Sequence, residues 1–479
     1  MDGTGTGTGT DTGTGTGTAG AARRRGTRAR AAAVVLALLA VLPGAAGCGA
    51  AADPAALSAP DVYYLRPYGD KKGVEDKAPL PVEVQHLYAA TGAHRLTVEV
   101  ERGDEKTVRL SEHNPDCAGD ATRVTCEVTG GSLNRTGNVR FTPVAARGSR
   151  VGDSGFVRFT YTTSDGTPLT ARTEVVVGEP VPEVRTPGAL RDVRPGSEVA
   201  GAFVVRNTGE LPVRGLGLAL SLDDSWSFAQ RYANCRYPTA GGRTAVCRFP
   251  GLRIAPGQTA VVRPALRMRA SRTKIYARYE QRVWPLDVGP GEYSAWLSGG
   301  DRGEGPALTA DVRATGRGGT EGAGGDFAQG RVQVPVTLAL GADYAVSDVT
   351  LHGAPGTERE LRLVVRNGGP GDPGAAARMV FTPPPGARVT AQPMAEIDED
   401  AYEPLCAYVG ASYRCPVRSL EPGASDTLVF TLRLGGPGTG TVRVEDNAPG
   451  RLDPPGDRER TGRRDPDPAD DEAVVTVAP

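Results

Sequence analysis

Seven cysteines carry the most specific chemistry in this sequence. Six fall in close pairs, Cys117/Cys126, Cys235/Cys247 and Cys406/Cys415, separated by 9, 12 and 9 residues. Such spacing suits short loops closed by local disulfides, and restricting a loop of about ten residues in the unfolded chain is worth roughly 3 kcal/mol. A zinc site would need CxxC or Cys/His ligands in close spacing, and no such cluster occurs. Disulfides of this pattern imply an oxidising compartment outside the cytoplasm. The four histidines, His86, His94, His113 and His352, belong to no nucleophile or metalloprotease motif. His86 and His94 are read as strand histidines rather than metal ligands. No catalytic set is expected, and so no enzyme.

Four further groups could bind something. Glu396, Asp398, Glu399 and Asp400 form one acidic cluster, and Asp467, Asp470, Asp471 and Glu472 another. Oxygen ligands on loops suit Ca²⁺, but neither cluster has the Asp-x-Asp-x-Asp-Gly order, so both are read as solvated loops and no metal is expected. Arg102-Gly103-Asp104 spells an adhesion tripeptide, and a turn between strands explains it fully. Residues 267–284 interleave Arg269, Arg272, Lys274, Arg278 and Arg282 with Tyr276, Tyr279 and Trp284, a pattern that would suit a polyanion or an exposed strand whose Arg stems cover rings. Trp226 and Trp296 could stack on a glycan, although a sandwich usually buries its few tryptophans.

The elements that must position these groups read as strands. Alternation at 95–101 marks a half-buried strand, with 106–110 expected to pair with it across the turn at 102–104. Further strand runs fall at 156–162, 170–177, 199–206, 213–222, 259–268, 292–297, 307–312, 331–340, 344–351, 361–366, 379–382, 428–434, 441–444 and 473–477. In the run 427–434, Leu428, Phe430, Leu432 and Leu434 share one face, so that face is core and the other solvent. No window keeps helical periodicity with caps, and short strands split by Gly/Pro turns argue for antiparallel β-sandwiches. A length of 479 residues allows about three domains. The net charge of −1 offers no field for nucleic acid. Arg greatly outnumbers Lys beside abundant Ala, Gly and Pro, the coding bias of a high-GC bacterial genome.

The N-terminus agrees with export. Residues 3–18 are nearly pure Gly-Thr, with nothing to bury. Arg23, Arg24, Arg25, Arg28 and Arg30 precede an apolar run at 31–42, then Pro43-Gly44 and Ala45-Ala46-Gly47-Cys48. These are the parts of a secretory signal peptide, and the run is short for a membrane span. Ala45-Ala46-Gly47-Cys48 resembles the lipobox of bacterial lipoproteins, departing from it at the first position, where Leu is usual. The resemblance implies a lipid on Cys48. Cleavage before Asp53 would instead release a soluble protein, and Arg24-Arg25 only loosely suggests twin-arginine export.

An ordered set of motifs occurs twice. Val205-Arg206-Asn207-Thr208-Gly209, the pair Cys235/Cys247 and Ile254-Ala255-Pro256-Gly257 are answered by Val365-Arg366-Asn367-Gly368-Gly369, the pair Cys406/Cys415 and Leu420-Glu421-Pro422-Gly423. The Asn-x-Gly stretch reads as a strand-end turn where positive φ is tolerated. With Asp343-Tyr344-Ala345-Val346 and Asp465-Pro466-Asp467-Pro468, the third module resembles the Ig-like conserved repeat of bacterial surface proteins. That resemblance implies an all-β chain of three tandem Ig-like antiparallel β-sandwiches, used in series as stalks or display modules. The expected layout is disordered and basic residues 1–30, a signal apolar region and lipobox 31–48, a linker 49–79, and sandwiches at 80–180, 181–341 and 342–479. Residues 331–340 could close the second sandwich or open the third. The expected function is a non-enzymatic exported lipoprotein, with membrane as partner through the lipid, a protein or cell-wall glycan as ligand, no nucleic acid and no cofactor. The alternative is a soluble secreted glycan- or wall-polymer-binding protein.

Overall fold

The computed structural model describes residues 56–70, 80–85, 94–112, 117–128, 138–163, 166–238, 243–288, 299–314, 326–374, 377–398, 401–446 and 463–479. Residues 1–30, the apolar region 31–48 with Cys48, and also His86, His113, Trp296, Glu399 and Asp400 lie outside them. The described residues form β-strands and two short 3-10 turns, with no α-helix among them. They build three β-sandwiches.

In the first sandwich one sheet runs Ala56–Ser58, Leu80–Gln85, Asn138–Ala145, Val108–Glu112. The other runs Val62–Leu65, Pro168–Val177, Ser154–Thr162, His94–Val100, Arg123–Val128, Cys117–Gly119. In the third sandwich the corresponding sheets run Tyr344–Val346, Glu358–Asn367, Ser425–Arg433, Arg388–Ala391 and Val349–His352, Glu472–Ala478, Gly438–Asp446, Ala377–Thr382, Ser412–Pro416, Ala407–Val409. Read by chain order, the two topologies are the same. The second follows the same plan in its larger sheet, Leu190–Val193, Arg331–Leu338, Tyr276–Pro285, Val213–Leu222, Thr244–Ile254, Cys235–Tyr237, with Asp301–Arg302 added at the edge. Its other sheet is split. Val204–Asn207 and Gln258–Arg263 pair in one half, while Glu198–Gly201, Leu266–Ala270 and Trp226–Phe228 make a three-stranded half.

Between the described strands, pairing is antiparallel except at one recurring place. Val62–Leu65, Leu190–Val193 and Val349–His352 each run parallel to the last strand of their own sandwich. In each case the first edge segment crosses from one sheet to the other. The core follows the alternation. Leu428, Phe430 and Leu432 are buried, whereas Thr427 and Val429 are exposed, and Leu96, Val98 and Val100 are buried against Phe159 and Phe141. Burying each such side chain stabilises by about 1.5–3 kcal/mol.

Four expectations are corrected. Val108–Glu112 does not pair with His94–Val100; it pairs with Asn138–Ala145 in the opposite sheet. Asp104 accepts N–H groups from Thr107 and Val108 at its carbonyl and from Phe156 at its carboxylate, and this knot turns the chain across the sandwich. Within the stretch read as a linker, Ala56–Ser58 and Val62–Leu65 are strands of the first sandwich, and Tyr63 and Tyr64 are buried there. The run 199–206 breaks at Ala202, whose carbonyl accepts from Gln281 Nε2, and its two halves join different sheets. The run 344–351 divides similarly into Tyr344–Val346 and Val349–His352. Arg331–Leu338 pairs with Tyr276–Pro285 and Leu190–Val193, both of the second sandwich.

Candidate functional site

The structure joins Cys117–Cys126, Cys235–Cys247 and Cys406–Cys415, with Cα separations of 4.0, 3.9 and 4.2 Å. Each bond closes a hairpin whose strands pair directly, with Cys406 one residue before its strand Ala407–Val409. In every sandwich it lies across the same hairpin of the larger sheet and ties that hairpin's two strands to each other. The described cysteines are all disulfide-bonded, and none offers a thiolate nucleophile.

The repeated Asn-x-Gly motif is a buried knot. Asn207 and Asn367 are fully buried. Asn207 Oδ1 accepts from the N–H groups of Val181 (3.2 Å) and Gly209 (3.0 Å), and its Nδ2 donates to the carbonyls of Leu211 (2.8 Å) and Ile254 (2.9 Å). Asn367 Oδ1 accepts from Asp343 (3.3 Å) and Gly369 (3.1 Å), and its Nδ2 donates to Gly371 (2.7 Å) and Leu420 (2.8 Å). Positive φ, expected at this motif, is found instead at Gly257 and Gly423 of the two Pro-Gly turns, whose N–H groups donate to the carbonyls of Asn207 and Asn367. Gly209 and Gly369 serve close approach: a Cβ there would lie 2.0 Å from the Glu179 carbonyl oxygen and 2.5 Å from the Asp343 nitrogen. Each knot ties the entering segment of its sandwich to the end of the strand that carries the asparagine and to the segment leading into the Pro-Gly turn.

The junction between second and third sandwiches is also built. Ile275, at the start of a second-sandwich strand, is fully buried in the core of the third. Its N–H donates to the Asp372 carbonyl at 3.0 Å, and the Asp372 N–H donates to Thr273 at 2.6 Å. Lys274 Nζ pairs with Asp372, whose side chain is fully buried, and with Glu421 at 3.1 Å. Burial alone would raise the Asp372 carboxyl. Hydrogen bonds from Lys274, Ser419 and the Gly374 N–H outweigh it and hold the group below the ordinary aspartate range. Leu340 packs on both cores, and Arg464 donates to the Leu338 carbonyl and to Asp192, both at 2.8 Å. At the first junction, Tyr64 Oη donates to Asp287 and Arg66 approaches Glu179 at 3.6 Å. Beside it lies a cleft of about 230 Å³ lined by Tyr64, Glu179, Pro180, Trp284, Pro285 and Gln329.

The remaining candidates are mostly absorbed by the fold. His94 is buried and stacked on Tyr161 at 5.6 Å, and His352 is exposed at a sheet end. The Asp104 carboxylate of the Arg-Gly-Asp turn is taken by Phe156 N–H at 2.8 Å. Arg267 and Arg269 both pair with Glu198, Arg282 pairs with Glu280, and Tyr279 is buried. Trp226 is buried against Tyr279. Tyr68, by contrast, is exposed.

One acidic cluster is rearranged relative to the sequence reading. Asp471 is taken by the buried Arg463, Asp467 caps the turn Pro468–Asp470, and Glu472 opens the last strand. Asp470 instead meets Asp343 and Asp465, with carboxylate oxygens of the three within 4.8 Å of one another. Asp343 Oδ1 and Asp470 Oδ1 are shielded and accept no hydrogen bond. Burial first, and then the charges of Asp470, Asp465 and Asp467, raise the Asp343 carboxyl above its ordinary value. Three convergent carboxylates could hold a hard divalent cation. Asp343 was missed as a member because its partners lie at the far end of the module. The signal available was its place at the head of the motif that Asp465 closes.

No protein-family model matches the chain, and no curated protein matches it. Among solved structures, it is similar to a chain in the structure of Dpr2 Ig1–Ig2 in complex with DIP-Theta Ig1–Ig3, at 10% identity over 88% of this chain and 99% of that one, TM-score 0.20. It is similar to titin I67–I69, at 8% identity over 89% and 97%, TM-score 0.18. It is also similar to a tetra-tandem repeat in the extending region of a large adhesion protein, at 11% identity over 88% and 74%, TM-score 0.23. At these TM-scores the likeness carries no argument, and the fold stands on the strand pairing above.

Proposed function

We propose that the chain is an exported, non-enzymatic bacterial surface protein whose tandem Ig-like sandwiches act as a stalk or binding module, held to the membrane by a lipid on Cys48. The observation that carries this reading is Ile275, a residue of one sandwich buried in the core of the next. A chain of freely jointed beads has no use for such a joint, whereas a stalk needs its modules locked in series. Three stapled edge hairpins support an oxidising location.

The alternative of a released glycan- or wall-polymer-binding protein draws on Trp226 and on the basic stretch 267–284. Trp226 is buried and so is not displayed, whereas Arg267 and Arg269 are exposed but each paired with Glu198. Protease treatment of intact cells tests the proposal. The protein should be digested while a cytoplasmic marker survives, and the undigested chain should leave the membrane with detergent and not with salt. Full protection in intact cells would refute it.

A further inference from the structure

The first and third sandwiches share one topology and the second follows it in its larger sheet, so each can be compared with the others slot by slot. Between the strand before the stapled hairpin and the hairpin itself, the first sandwich has residues 113–116 and the second has residues 229–234. The third carries an added ribbon in that slot, Met394–Asp398 paired with Ala401–Pro404. The second sandwich has its own additions, but those strands pair onto sheet edges: Thr309–Ala314 on Gln258–Arg263, Phe327–Gln329 on Pro182–Arg185. Among the described residues the ribbon pairs only with itself. Its side chains are exposed on both faces, including Met394 at 52%, Ile397 at 60% and Tyr402 at 60%. A two-stranded ribbon that buries so little gains little stability on its own, and insertions in repeat proteins commonly lie on the binding face.

We propose that this ribbon is a docking arm for a basic polypeptide, which adds to its free edge as a strand and alternates apolar with Lys or Arg side chains. Main-chain pairing at an open edge supplies affinity, and the flanking side chains supply specificity. Glu396 lies directly opposite Tyr402, and Ala395 opposite Glu403, so each face offers a carboxylate beside an apolar contact. Residues 389–413 contain no Lys or Arg, and among the described residues no ion pair involves Glu396 or Glu403. Glu396 and Glu403 therefore present negative charge to whatever docks. A second copy of the ribbon is the wrong occupant, because two acidic edges would repel. An anionic wall polymer is disfavoured for the same reason.

The inference rests on the surface-stalk reading for where the partner is met, but its test uses the purified, disulfide-intact full chain and so is separate from location. A synthetic peptide alternating Val and Lys is titrated at low salt, beside a peptide of the same composition with its valines and lysines in two blocks. The alternating peptide should bind roughly tenfold tighter or better. The double variant Ile397→Ser/Tyr402→Ser should lose that preference, with thermal unfolding unchanged because both side chains are exposed. Equal binding of the two peptides, an unaltered preference in the variant, or a concentration-dependent dimer that vanishes in the variant would each overturn the proposal. Failure here with successful digestion on intact cells would remove the docking arm and leave the stalk.

Discussion

Asn367 repeats in the third sandwich the hydrogen bonds that Asn207 makes in the second, partner for partner: two backbone N–H groups on Oδ1, two carbonyls on Nδ2. A buried amide with all four contacts satisfied fixes one arrangement of the strands around it, because any other leaves polar groups unpaired in the core.

Truncation of this amide therefore strands several buried groups at once. Asn367→Ala should destabilise the third sandwich by about 3 kcal/mol or more, read as an earlier unfolding transition in urea. Asn367→Asp should be comparably damaging, since it turns a donor into an acceptor facing the Gly371 and Leu420 carbonyls. Wild-type stability in both variants would show that the knot is incidental.

The joint predicts that a second-sandwich residue supports the third. Ile275→Ala should leave a void in the third core and cost about 2–5 kcal/mol, with the loss appearing in hydrogen exchange of Glu358–Asn367 and Ser425–Arg433. Protection unchanged in those strands would mean that Ile275 does not contribute to that core.

The ion pair at the same joint sets a pH window. The folded Asp372 carboxyl lies below its ordinary value, so its contribution is complete above the ordinary aspartate range, near 4, and is lost as pH falls through the depressed folded value. Lys274 is held above its ordinary value by Asp372 and Glu421 against the opposing effect of burial, so its part is complete below about 10 and is lost only above that. Lys274→Met should shift the acid limb of a stability-versus-pH curve and leave Asp372 buried without its cation, costing about 3 kcal/mol near neutrality. An acid limb identical to wild type would exclude the pair.

Asp343 has the opposite sign. Its folded carboxyl is raised by burial and by three neighbouring acids, so ionisation costs stability as pH rises through the folded value. Asp343→Asn should raise the unfolding midpoint at pH 7 and lose that gain well below the ordinary aspartate range. A lower midpoint at pH 7 would show that the charge is needed there.

Much of this was readable in the residues. Alternation located the strand carrying Leu428, Phe430 and Leu432, because one face is buried and the other is wet. Cysteine spacing found the staples, since partners nine to twelve residues apart lie across one hairpin. Alternation cannot show where a strand leaves its sheet, so 199–206 read as one run although its halves part at Ala202. Ala56–Ser58 is held by long-range pairing with Leu80–Gln85, which its Ala-rich composition does not announce. Asn367 looked like a turn residue because Asn-Gly usually is one. Only the packed fold shows that its amide points inward, and only the fold brings Asp343 to Asp465 and Asp470.

The central claim is that this chain has left the cytoplasm with its hairpins stapled and a lipid at its start. Mass spectrometry of the protein taken from the membrane fraction under alkylating, non-reducing conditions tests it. The account predicts a mature chain beginning at a diacylglycerol-modified Cys48, with Cys117–Cys126, Cys235–Cys247 and Cys406–Cys415 linked. An unprocessed N-terminus with all six of those thiols alkylated would contradict it.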